Sequence, residues 1–239
     1  MVEGMIDYEK YAKKHIYYGN ENIDDFLEKI INIKIKSNKN SSLLDIGAGS
    51  GNIISRLKEI FPTLLISVSD ISKIRIERIK ILMREKINKY YIDDICNSKI
   101  PSDSYDIINS DQVIEHVMLD ITMIKEIKRI LKDKGLFRVS SVYKKKGAWY
   151  FHKNNNERLI DPTHLREYTS IENFKKIFTN QSLKIIDIKT EPIKYPILDP
   201  FLTIMKIKSK SKFINKLRGL KIKIPKYYRI TIVGEKNDF

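Results

Sequence analysis

Residues 42–53, SLLDIGAGSGNI, decide the fold class of this 239-residue chain. Apolar residues lead into Asp45, and three glycines follow at every second position, Gly47, Gly49 and Gly51. Glycines at a strand-to-helix turn permit positive φ and remove side chains that would block an approaching ligand. The helix N-terminus behind them offers unpaired N–H groups. The stretch therefore predicts a strand, a ligand-binding turn and the start of a helix.

The spacing of the glycines and the position of Asp45 narrow the choice of ligand. A dinucleotide fingerprint, G-x-G-x-x-G, would place its third glycine at position 52, which is Asn52. A P-loop would end in Gly-Lys-Ser or Gly-Lys-Thr, and the sequence contains neither. An acid just before the first glycine would repel a pyrophosphate and would suit a cationic amine. S-adenosylmethionine carries a protonated amine, a sulfonium and no phosphate.

Strand-like and helix-like runs alternate along the chain beyond this turn. Besides SLLDI, the predicted strands are TLLISVSD (63–70), KYYI (89–92), SYDIINS (104–110), GLFRVSSVY (135–143), LKIIDIKT (183–190) and YRITIVGE (228–235). Apolar residues at helical spacing predict helices near 23–31, over 52–61, from an N-cap at Ser72 to about residue 83, within 118–131 and over 171–178. Residues 132–135 supply a C-terminal stop signal for the fourth of these helices. Such alternation is typical of a doubly wound, Rossmann-like α/β sheet with parallel strand order.

Several motifs, in order, resemble those of class I S-adenosylmethionine-dependent methyltransferases. DIGAGSG (45–51) is similar to the first motif of that family, and SYDIINSDQVIEHV (104–117) to the segment around its fourth strand. Within that family, the chain resembles the branch that methylates oxygen atoms of small molecules and glycans. The likeness covers roughly residues 40–190 and resumes in the last strand. It implies seven strands in the order 3-2-1-4-5-7-6, mostly parallel, with an antiparallel last strand.

The resemblance also implies which residues bind the cofactor. They are Asp45, Gly47, Gly49, Gly51, Asp70, Asp94, Ile95 and Ser110. Asp70 would bind both ribose hydroxyls, because a carboxylate can accept two hydrogen bonds at once. Asp94 would accept from the adenine amine while Ile95 packs on the ring, and Ser110 would lie beside the methionine portion. Adjacent Asp93 is also an acid, so either Asp93 or Asp94 could instead cap the next turn.

The catalytic candidates are His116 and His164. His116 follows Glu115 just after the fourth strand, on the active-site rim of this fold, and histidine can take a proton near neutral pH. An amine or carboxylate acceptor needs no strong base, and His116 would then only bind it. His164, in DPTHLREYT (161–169), is a second base candidate or a substrate contact. No set of His and acidic residues has convincing metal-ligand spacing, so we expect no metal.

We expect a single methyltransferase domain over 1–239, with a helical lid (1–40), a core (41–190), a basic insertion (191–226) and the last strand (227–239). Two aromatic groups could cover the site or could simply pack in the core. The first group is N-terminal, with Tyr8, Tyr11, Tyr17 and Tyr18 over the cofactor, and the second is Trp149, Tyr150, Phe151 and His152 over the acceptor.

The formal charge of +15 is concentrated near the C-terminus. Residues 201–234 contain ten Lys or Arg and no Asp or Glu. A helical stripe of Phe213, Ile214, Leu217 and Leu220 lies among Lys212, Lys216, Arg218 and Lys221. A basic amphipathic helix suits an anionic membrane surface. It would equally suit a lipid-linked, phosphate-bearing glycan or RNA, or be a solvated lid.

These observations predict methyl transfer from S-adenosylmethionine to a hydroxyl of a sugar, a lipid-linked glycan or another small metabolite. The alternatives are an RNA methyltransferase that uses the basic segment, and a non-catalytic binding module; the glycine spacing makes a nicotinamide enzyme a distant fourth. Nucleobase amine methyltransferases resemble one another in an Asn/Asp-Pro-Pro-Tyr/Phe motif, and that position reads NSDQ (109–112) here. A single cysteine, no long apolar run and no signal-peptide core favour the cytoplasm, with peripheral membrane attachment left open.

Overall fold

The computed structural model describes residues 7–14, 23–148, 152–154, 157–196 and 221–237. The helices in this part of the chain are α1 (Tyr8–Lys14), α2 (Asp25–Ser37), α3 (Asn52–Ile60), α4 (Lys73–Met83), α5 (Asp120–Ile130) and α6 (Ile171–Thr179). The strands are β1 (Ser42–Ile46), β2 (Leu65–Asp70), β3 (Lys89–Ile92), β4 (Tyr105–Asp111), β5 (Leu131–Lys144), β6 (His152–Asn154), β7 (Glu157–Leu159), β8 (Leu183–Pro196) and β9 (Lys221–Lys236).

Seven strands form one sheet in the order β3-β2-β1-β4-β5-β9-β8. The first five pair in parallel, and β9 is antiparallel to both β5 and β8. Counted within this sheet, β8 is the sixth strand and β9 the seventh, which confirms the predicted order. The carboxyl ends of β1, β2, β3, β4 and β5 therefore meet at one edge, where doubly wound sheets bind their ligands.

The sheet is buried on both faces, which explains the continuous apolar runs in its strands. Leu44 and Ile46 of β1 face a core that contains residues of α5 and α6. Leu43 of the same strand faces a second core built with α2, α3 and α4. Side chains alternate across a strand, so five consecutive buried residues in β1 place two or three on each face. The fold is three layers, helices–sheet–helices.

Local capping explains why two of the helices begin where they do. Ser72 accepts a hydrogen bond from the backbone N–H of Arg75 and caps α4, as predicted. Asp24 caps α2 in the same way through the N–H of Leu27. α2 belongs to residues 1–40, the segment predicted as a lid. Its Leu27, Ile30 and Ile31 are instead buried in the second core. Among the described residues of that segment, those of α1 contact the carboxyl edge of the sheet through the bond of Tyr8 to the His116 carbonyl.

The boundaries of the predicted basic insertion, 191–226, differ from the structure. β8 continues to Pro196 and β9 begins at Lys221, because Lys194, Tyr195 and Pro196 pair in register with Lys223, Ile222 and Lys221. The predicted stop signal over 132–135 is also strand, since β5 starts at Leu131 directly after α5. The hairpin of β6 and β7 was not predicted.

Several predictions fall on residues outside the described part of the chain. These residues are Tyr17, Tyr18, Trp149, Tyr150, Phe151 and most of the basic helical stripe, including Phe213, Ile214, Leu217 and Leu220. Among the residues that the structure describes, no helix combines the length and the apolar character that a membrane crossing requires.

Candidate active site

The glycine loop connects β1 to α3 at the carboxyl edge of the sheet. The N–H groups of Gly47 and Ala48 both donate to the Ser69 carbonyl oxygen of β2, at 2.8 and 3.0 Å. All three predicted glycines have positive φ, at 69° for Gly47, 58° for Gly49 and 75° for Gly51. The loop thus curls against the end of β2 in a conformation that L-residues with side chains rarely adopt.

The glycines differ in what surrounds them. A Cβ atom on Gly47 would lie 2.3 Å from Cγ2 of Val113, so this glycine is required for packing. A Cβ on Gly51 would come within 3.0 Å of Ile79. At Gly49 the nearest atom would be the Gly47 carbonyl oxygen at 3.8 Å, which leaves open space beside it. Gly49 therefore has open space beside it that a ligand could occupy.

Asp70 ends β2 and its carboxylate is almost fully buried. One oxygen accepts from the N–H of Ser72 at 2.9 Å, and the other from the N–H of Gly49 at 3.0 Å. The guanidinium of Arg75 approaches the second oxygen at 3.4 Å. A carboxylate offers about four acceptor positions, so the first oxygen retains one for a further donor. Asp70 both fixes the glycine loop and keeps capacity for a ligand.

Asp45 lies in a buried polar network within the sheet. Its carboxylate accepts from the side-chain amide of Asn109 in β4 at 2.6 Å. The Asn109 oxygen in turn accepts from Arg138 of β5 at 3.0 Å, and Arg138 pairs with Asp24 and with Asp111. Part of the hydrogen-bonding capacity of Asp45 thus serves the protein itself. One feature of the sequence indicates this network, namely the charged Arg138 within the strand-like run LFRVSSVY (136–143).

The remaining predicted cofactor residues lie nearby, with different environments. Asp94 is exposed and caps the turn after β3, accepting from the N–H of Cys96 at 2.9 Å. Asp93 accepts from the N–H of Lys99 at 2.9 Å, while its other oxygen is buried without a partner among the described residues. Ile95 is buried in the core, which leaves little of its surface for a ligand.

Ser110 is fully buried next to the end of β1, where it pairs in register with Ile46. Its hydroxyl has no hydrogen-bond partner among the residues that the structure describes. Because buried polar groups are nearly always hydrogen-bonded, this hydroxyl is available to a ligand at the carboxyl edge of the sheet, and its contact with the cofactor stays a prediction.

The helix α1 crosses the carboxyl edge. Glu9 accepts from the N–H of Lys73 at 2.6 Å and so caps α4 from outside. The Tyr8 hydroxyl donates to the His116 carbonyl oxygen at 3.0 Å, on the other side of the glycine loop. Burial raises the pKa of Tyr8; Arg75 opposes this, and nearby carboxylates add to it, the first of them Asp70. Of the four N-terminal tyrosines, Tyr8 and Tyr11 are described, and both belong to this helix. That they cover the cofactor stays a prediction.

Both catalytic candidates belong to one cluster. Glu115 and His116 lie in the loop after β4, and His164 lies in the loop before α6. The two loops are joined by a 2.9 Å hydrogen bond from the N–H of Leu165 to the Glu115 carbonyl oxygen. The two imidazole rings meet edge to face, with centroids 4.9 Å apart. One ligand atom of each of Glu115, His116 and His164 lies within 4.8 Å of the others. Sequence spacing could not reveal this set, because the two histidines are 48 positions apart.

Hydrogen bonds fix how each histidine is oriented. His116 Nδ1 lies 3.1 Å from the carbonyl oxygen of Thr163, which can only accept, so Nδ1 carries the proton. The Thr163 hydroxyl also lies 3.1 Å from this nitrogen, and it donates to Asp161 at 2.5 Å. Nδ1 of His164 lies 2.9 Å from a carboxylate oxygen of Glu167. In both rings Nε2 is the nitrogen left for a ligand or an acceptor.

The protonation properties of the cluster follow from its burial. Burial, and then His164 beside it, lower the pKa of His116 to about 4, so His116 is neutral at pH 7. Burial raises the pKa of Glu115 to about 7 against the opposing effect of His164. Burial alone would lower the pKa of His164, but its bond to Glu167 and the neighbouring carboxylates outweigh it and raise that pKa. Perturbed groups of this kind, gathered at a sheet edge, are typical of active sites.

Arg166 joins the two loops that carry the cluster. Its guanidinium donates to the carbonyl oxygens of Ile114 at 3.2 Å and Val117 at 2.5 Å, and to that of Met118 at 2.6 Å. Three backbone carbonyls of the loop after β4 are therefore held by a side chain of the loop before α6.

The chain is similar to known proteins in sequence and in fold. Residues 37–182 match the family described as "Methyltransferase domain". A similar curated protein is the malonyl-[acyl-carrier protein] O-methyltransferase 2 of Ilyobacter polytropus, 27% identical over 169 residues, which are 69% of this chain and 64% of the relative. The chain thus spans slightly less than two thirds of that relative's length.

Solved structures share the fold at low identity. The YcgJ protein of Bacillus subtilis superposes with a TM-score of 0.60 at 22% identity, over 89% of this chain and 100% of that one. Phosphoethanolamine N-methyltransferase 2 of Haemonchus contortus, in complex with S-adenosyl-L-methionine, superposes with a TM-score of 0.59 at 15% identity, over 99% of this chain and 59% of that one. These findings confirm the predicted fold and the prediction of S-adenosylmethionine as cofactor. The chain belongs to the methyltransferase domain family, and within it to the class I S-adenosylmethionine-dependent methyltransferases.

Proposed function

We propose that this methyltransferase transfers the methyl group to a hydroxyl oxygen of a small acceptor, namely a sugar, a lipid-linked glycan or another small metabolite. The observation that carries the proposal is the orientation of His116, whose proton is held at Nδ1 by Thr163 and whose Nε2 keeps a lone pair. His116 donates its backbone N–H to the carbonyl of Val113, the residue that packs against Gly47, so it lies on the rim beside the glycine loop.

Three features support the assignment of the cofactor-binding residues. Asp70 retains an acceptor position suited to a ribose hydroxyl. Ser110 offers a buried hydroxyl that lacks a partner among the described residues. Gly49 borders open space where a side chain would intrude. Together with Asp45, Gly47, Gly51, Asp94 and the small part of Ile95 that is exposed, these residues would hold S-adenosylmethionine, which supplies a methyl group already activated as a sulfonium.

His116 is suited to take the acceptor proton although its pKa is low. A hydroxyl oxygen that is gaining a methyl group becomes far more acidic than an imidazolium, so a neutral imidazole accepts its proton late in the transfer. The bonds of Thr163 to His116, and of Glu167 to His164, hold both rings in place, which serves the positioning on which this reaction mainly depends. His116 acts as the base in this proposal, and His164 contacts the acceptor.

A carboxylate acceptor is the second candidate. The relative from Ilyobacter polytropus is named an O-methyltransferase of malonyl-[acyl-carrier protein], which supports oxygen as the methylated atom. A pKa of about 4 for His116 favours an acceptor that has no proton to lose. The facing residues Lys194 and Lys223, at the end of the β8–β9 ribbon, add positive charge that suits an anionic acceptor or an anionic membrane surface. A cytoplasmic location fits either acceptor.

Calorimetric titration with S-adenosylmethionine tests the cofactor site, with NAD as the control ligand. We expect micromolar binding of S-adenosylmethionine alone, and at least tenfold weaker binding by Asp70→Asn, whose amide has lost an acceptor oxygen. Asp25→Asn, on the exposed surface of α2, is the matched control and should bind normally. Equal affinity of Asp70→Asn and the wild type for S-adenosylmethionine would show that Asp70 does not bind the cofactor.

Transfer of a labelled methyl group identifies the acceptor class. The protein is incubated with labelled S-adenosylmethionine and, separately, with glycolipid, small-metabolite, acyl-carrier-protein and RNA fractions. Label in a base-stable ether of the first two fractions supports hydroxyl transfer. A base-labile methyl ester would instead support the carboxylate candidate, and label in RNA alone would contradict both.

A further inference from the structure

We propose that Glu115, His116 and His164 form a binding site for a divalent first-row transition cation such as Zn²⁺. The three residues come from two loops that are joined at the carboxyl edge of the sheet, and one ligand atom of each lies within 4.8 Å of the others. Two imidazoles and one carboxylate are a ligand set that such cations take in proteins, with further coordination positions left open.

The first support is the state of the Glu115 carboxylate. Glu115 is fully buried, and one of its oxygens accepts from the Ser141 hydroxyl at 2.9 Å. The other oxygen has no hydrogen-bond partner among the described residues. An unpartnered, buried carboxylate oxygen is costly, and burial is tolerated when the group coordinates a metal or is otherwise paired. The carboxyl group that carries this oxygen belongs to the cluster that contains both histidines.

The second support is the way in which the two histidines are held. Each presents Nδ1 to an acceptor of the protein, the Thr163 carbonyl for His116 and the Glu167 carboxylate for His164. Metal-binding histidines almost always donate their second ring nitrogen to a carboxylate or a backbone carbonyl, because this fixes the tautomer and raises the basicity of the ligating nitrogen. Glu167 is itself held by Tyr227 and by the N–H of Ile160.

The composition of the cluster selects the class of cation. Imidazole nitrogens favour Zn²⁺, Fe²⁺, Co²⁺ and related ions over Mg²⁺ and Ca²⁺, which prefer oxygen ligands. His₂Glu is the ligand set of several catalytic zinc sites, in which a water or the substrate takes the fourth position. A cation held by Glu115, His116 and His164 would likewise keep a position for an oxygen of the acceptor.

The cation site itself does not depend on the proposed function; only its effect on the acceptor hydroxyl rests on that proposal. A cation at the cluster would occupy Nε2 of His116, so His116 would be a ligand rather than the base. The cation would lower the pKa of a coordinated acceptor hydroxyl, whose proton would leave to solvent before methyl transfer. Cation binding by the three residues can be measured without any acceptor and without S-adenosylmethionine.

The test is calorimetric titration of the chelator-treated full chain with ZnCl₂, followed by visible spectroscopy with Co²⁺ as a second probe. We expect one ion per chain and a Co²⁺ spectrum with nitrogen and oxygen ligands. Glu115→Gln and His164→Ala should each weaken Zn²⁺ binding by at least about tenfold, as even changes outside the ligand set commonly do. Glu77→Gln, on the exposed surface of α4, makes the same chemical change as Glu115→Gln outside the cluster; it is the matched control and should bind Zn²⁺ as the wild type does.

Titration with S-adenosylmethionine in parallel separates the possible failures and shows that each variant is folded. Wild-type protein that binds S-adenosylmethionine but no Zn²⁺ overturns the cation site and leaves the proposed function standing. Zn²⁺ binding that is equal in the wild type, Glu115→Gln and His164→Ala also overturns it, because the ion then lies elsewhere. Zn²⁺ binding that depends on Glu115 and His164, without binding of S-adenosylmethionine, supports the cation site and contradicts the proposed function.

Discussion

The hydroxyl of Tyr8 and the backbone carbonyl of His116 are joined by a 3.0 Å hydrogen bond across 108 positions of the chain. The same helix caps α4 through Glu9 and receives a bond from Arg78 to the Ala12 carbonyl at 2.6 Å. α1 is thus fastened on both sides of the glycine loop. If S-adenosylmethionine binds at this loop as proposed, we expect these attachments to slow its exchange.

Tyr8→Phe should make the cofactor site easier to open. The substitution removes one hydrogen bond worth about 0.5–1.5 kcal/mol and keeps the ring. We expect S-adenosylmethionine to dissociate up to about tenfold faster, measured by stopped-flow fluorescence. Tyr90→Phe, which removes a bond to the Arg84 carbonyl beside β3, is the control and should leave dissociation unchanged. Identical rates for Tyr8→Phe and the wild type would show that α1 does not gate the site.

Alanine at Gly47 and at Gly49 should have different effects. Both glycines have positive φ, so the backbone strain of the two variants is similar. Only the Gly47 variant would also clash with Val113, which should cost about 1–3 kcal/mol more in the free energy of unfolding. Gly49→Ala should remain folded and lose cofactor affinity, because its methyl group enters the open space. Thermal unfolding and calorimetry measure the two effects; equal stabilities would contradict the clash.

His116→Ala should lower turnover much more than cofactor affinity. Loss of a general acid–base group typically reduces the rate by about 100-fold or more, and His116 has no predicted contact with S-adenosylmethionine. The measurement compares single-turnover methyl transfer to the identified acceptor with calorimetric affinity for the cofactor. Unchanged turnover would make His116 a packing residue.

Arg138→Met should destabilise the fold in a pH-dependent way. Loss of the buried guanidinium leaves Asp24 and Asp111 without this partner and should cost about 3 kcal/mol at pH 7. Burial would raise the pKa of Asp111, but Arg138 and then Arg229 outweigh it and hold it below its usual value of 3.8. A carboxyl with a depressed pKa stabilises the fold above that value and loses this contribution as the pH falls below it.

The stability difference between Arg138→Met and the wild type should therefore be largest at neutral pH and smaller at pH 3. Urea unfolding of both proteins at pH 7 and pH 3 measures it. Arg56→Met, which breaks an exposed ion pair with Glu59, should change stability by no more than about 1 kcal/mol at either pH. A difference for Arg138→Met that does not vary with pH would contradict the role of Asp111.

The sequence was most informative where local signals agree. The apolar run of β1, the glycines behind it and the N-cap Ser72 each fix an element without reference to distant residues. The ends of β8 and β9 were missed because Lys194 and Lys223 are paired across the ribbon, and alternating lysine and isoleucine carries no local strand boundary. The pairing, not the local pattern, sets those ends.

The sequence predicts which residues belong to the candidate site, but it does not predict the contacts between those that lie far apart in the chain. Asp70 and the glycines were identified because they are close in sequence and follow a strand. That Glu115 and His164 share one cluster depends on how two loops fold over the sheet, and no local pattern encodes it. The partners Thr163 and Glu167 lie between residues 144 and 170, where the sequence predicts no helix or strand, so no local pattern indicates that they orient the histidines.

Arg166 has a consequence for how the specificity of such an enzyme can change. Its guanidinium binds three backbone carbonyls of the loop after β4, so these contacts between the two loops that carry the candidate site do not depend on which side chains the loop after β4 carries. Side chains on the loop after β4 can therefore be exchanged while these contacts are kept. An evolutionary lineage, or a directed-evolution library that conserves Arg166, can explore new acceptors without rebuilding the scaffold.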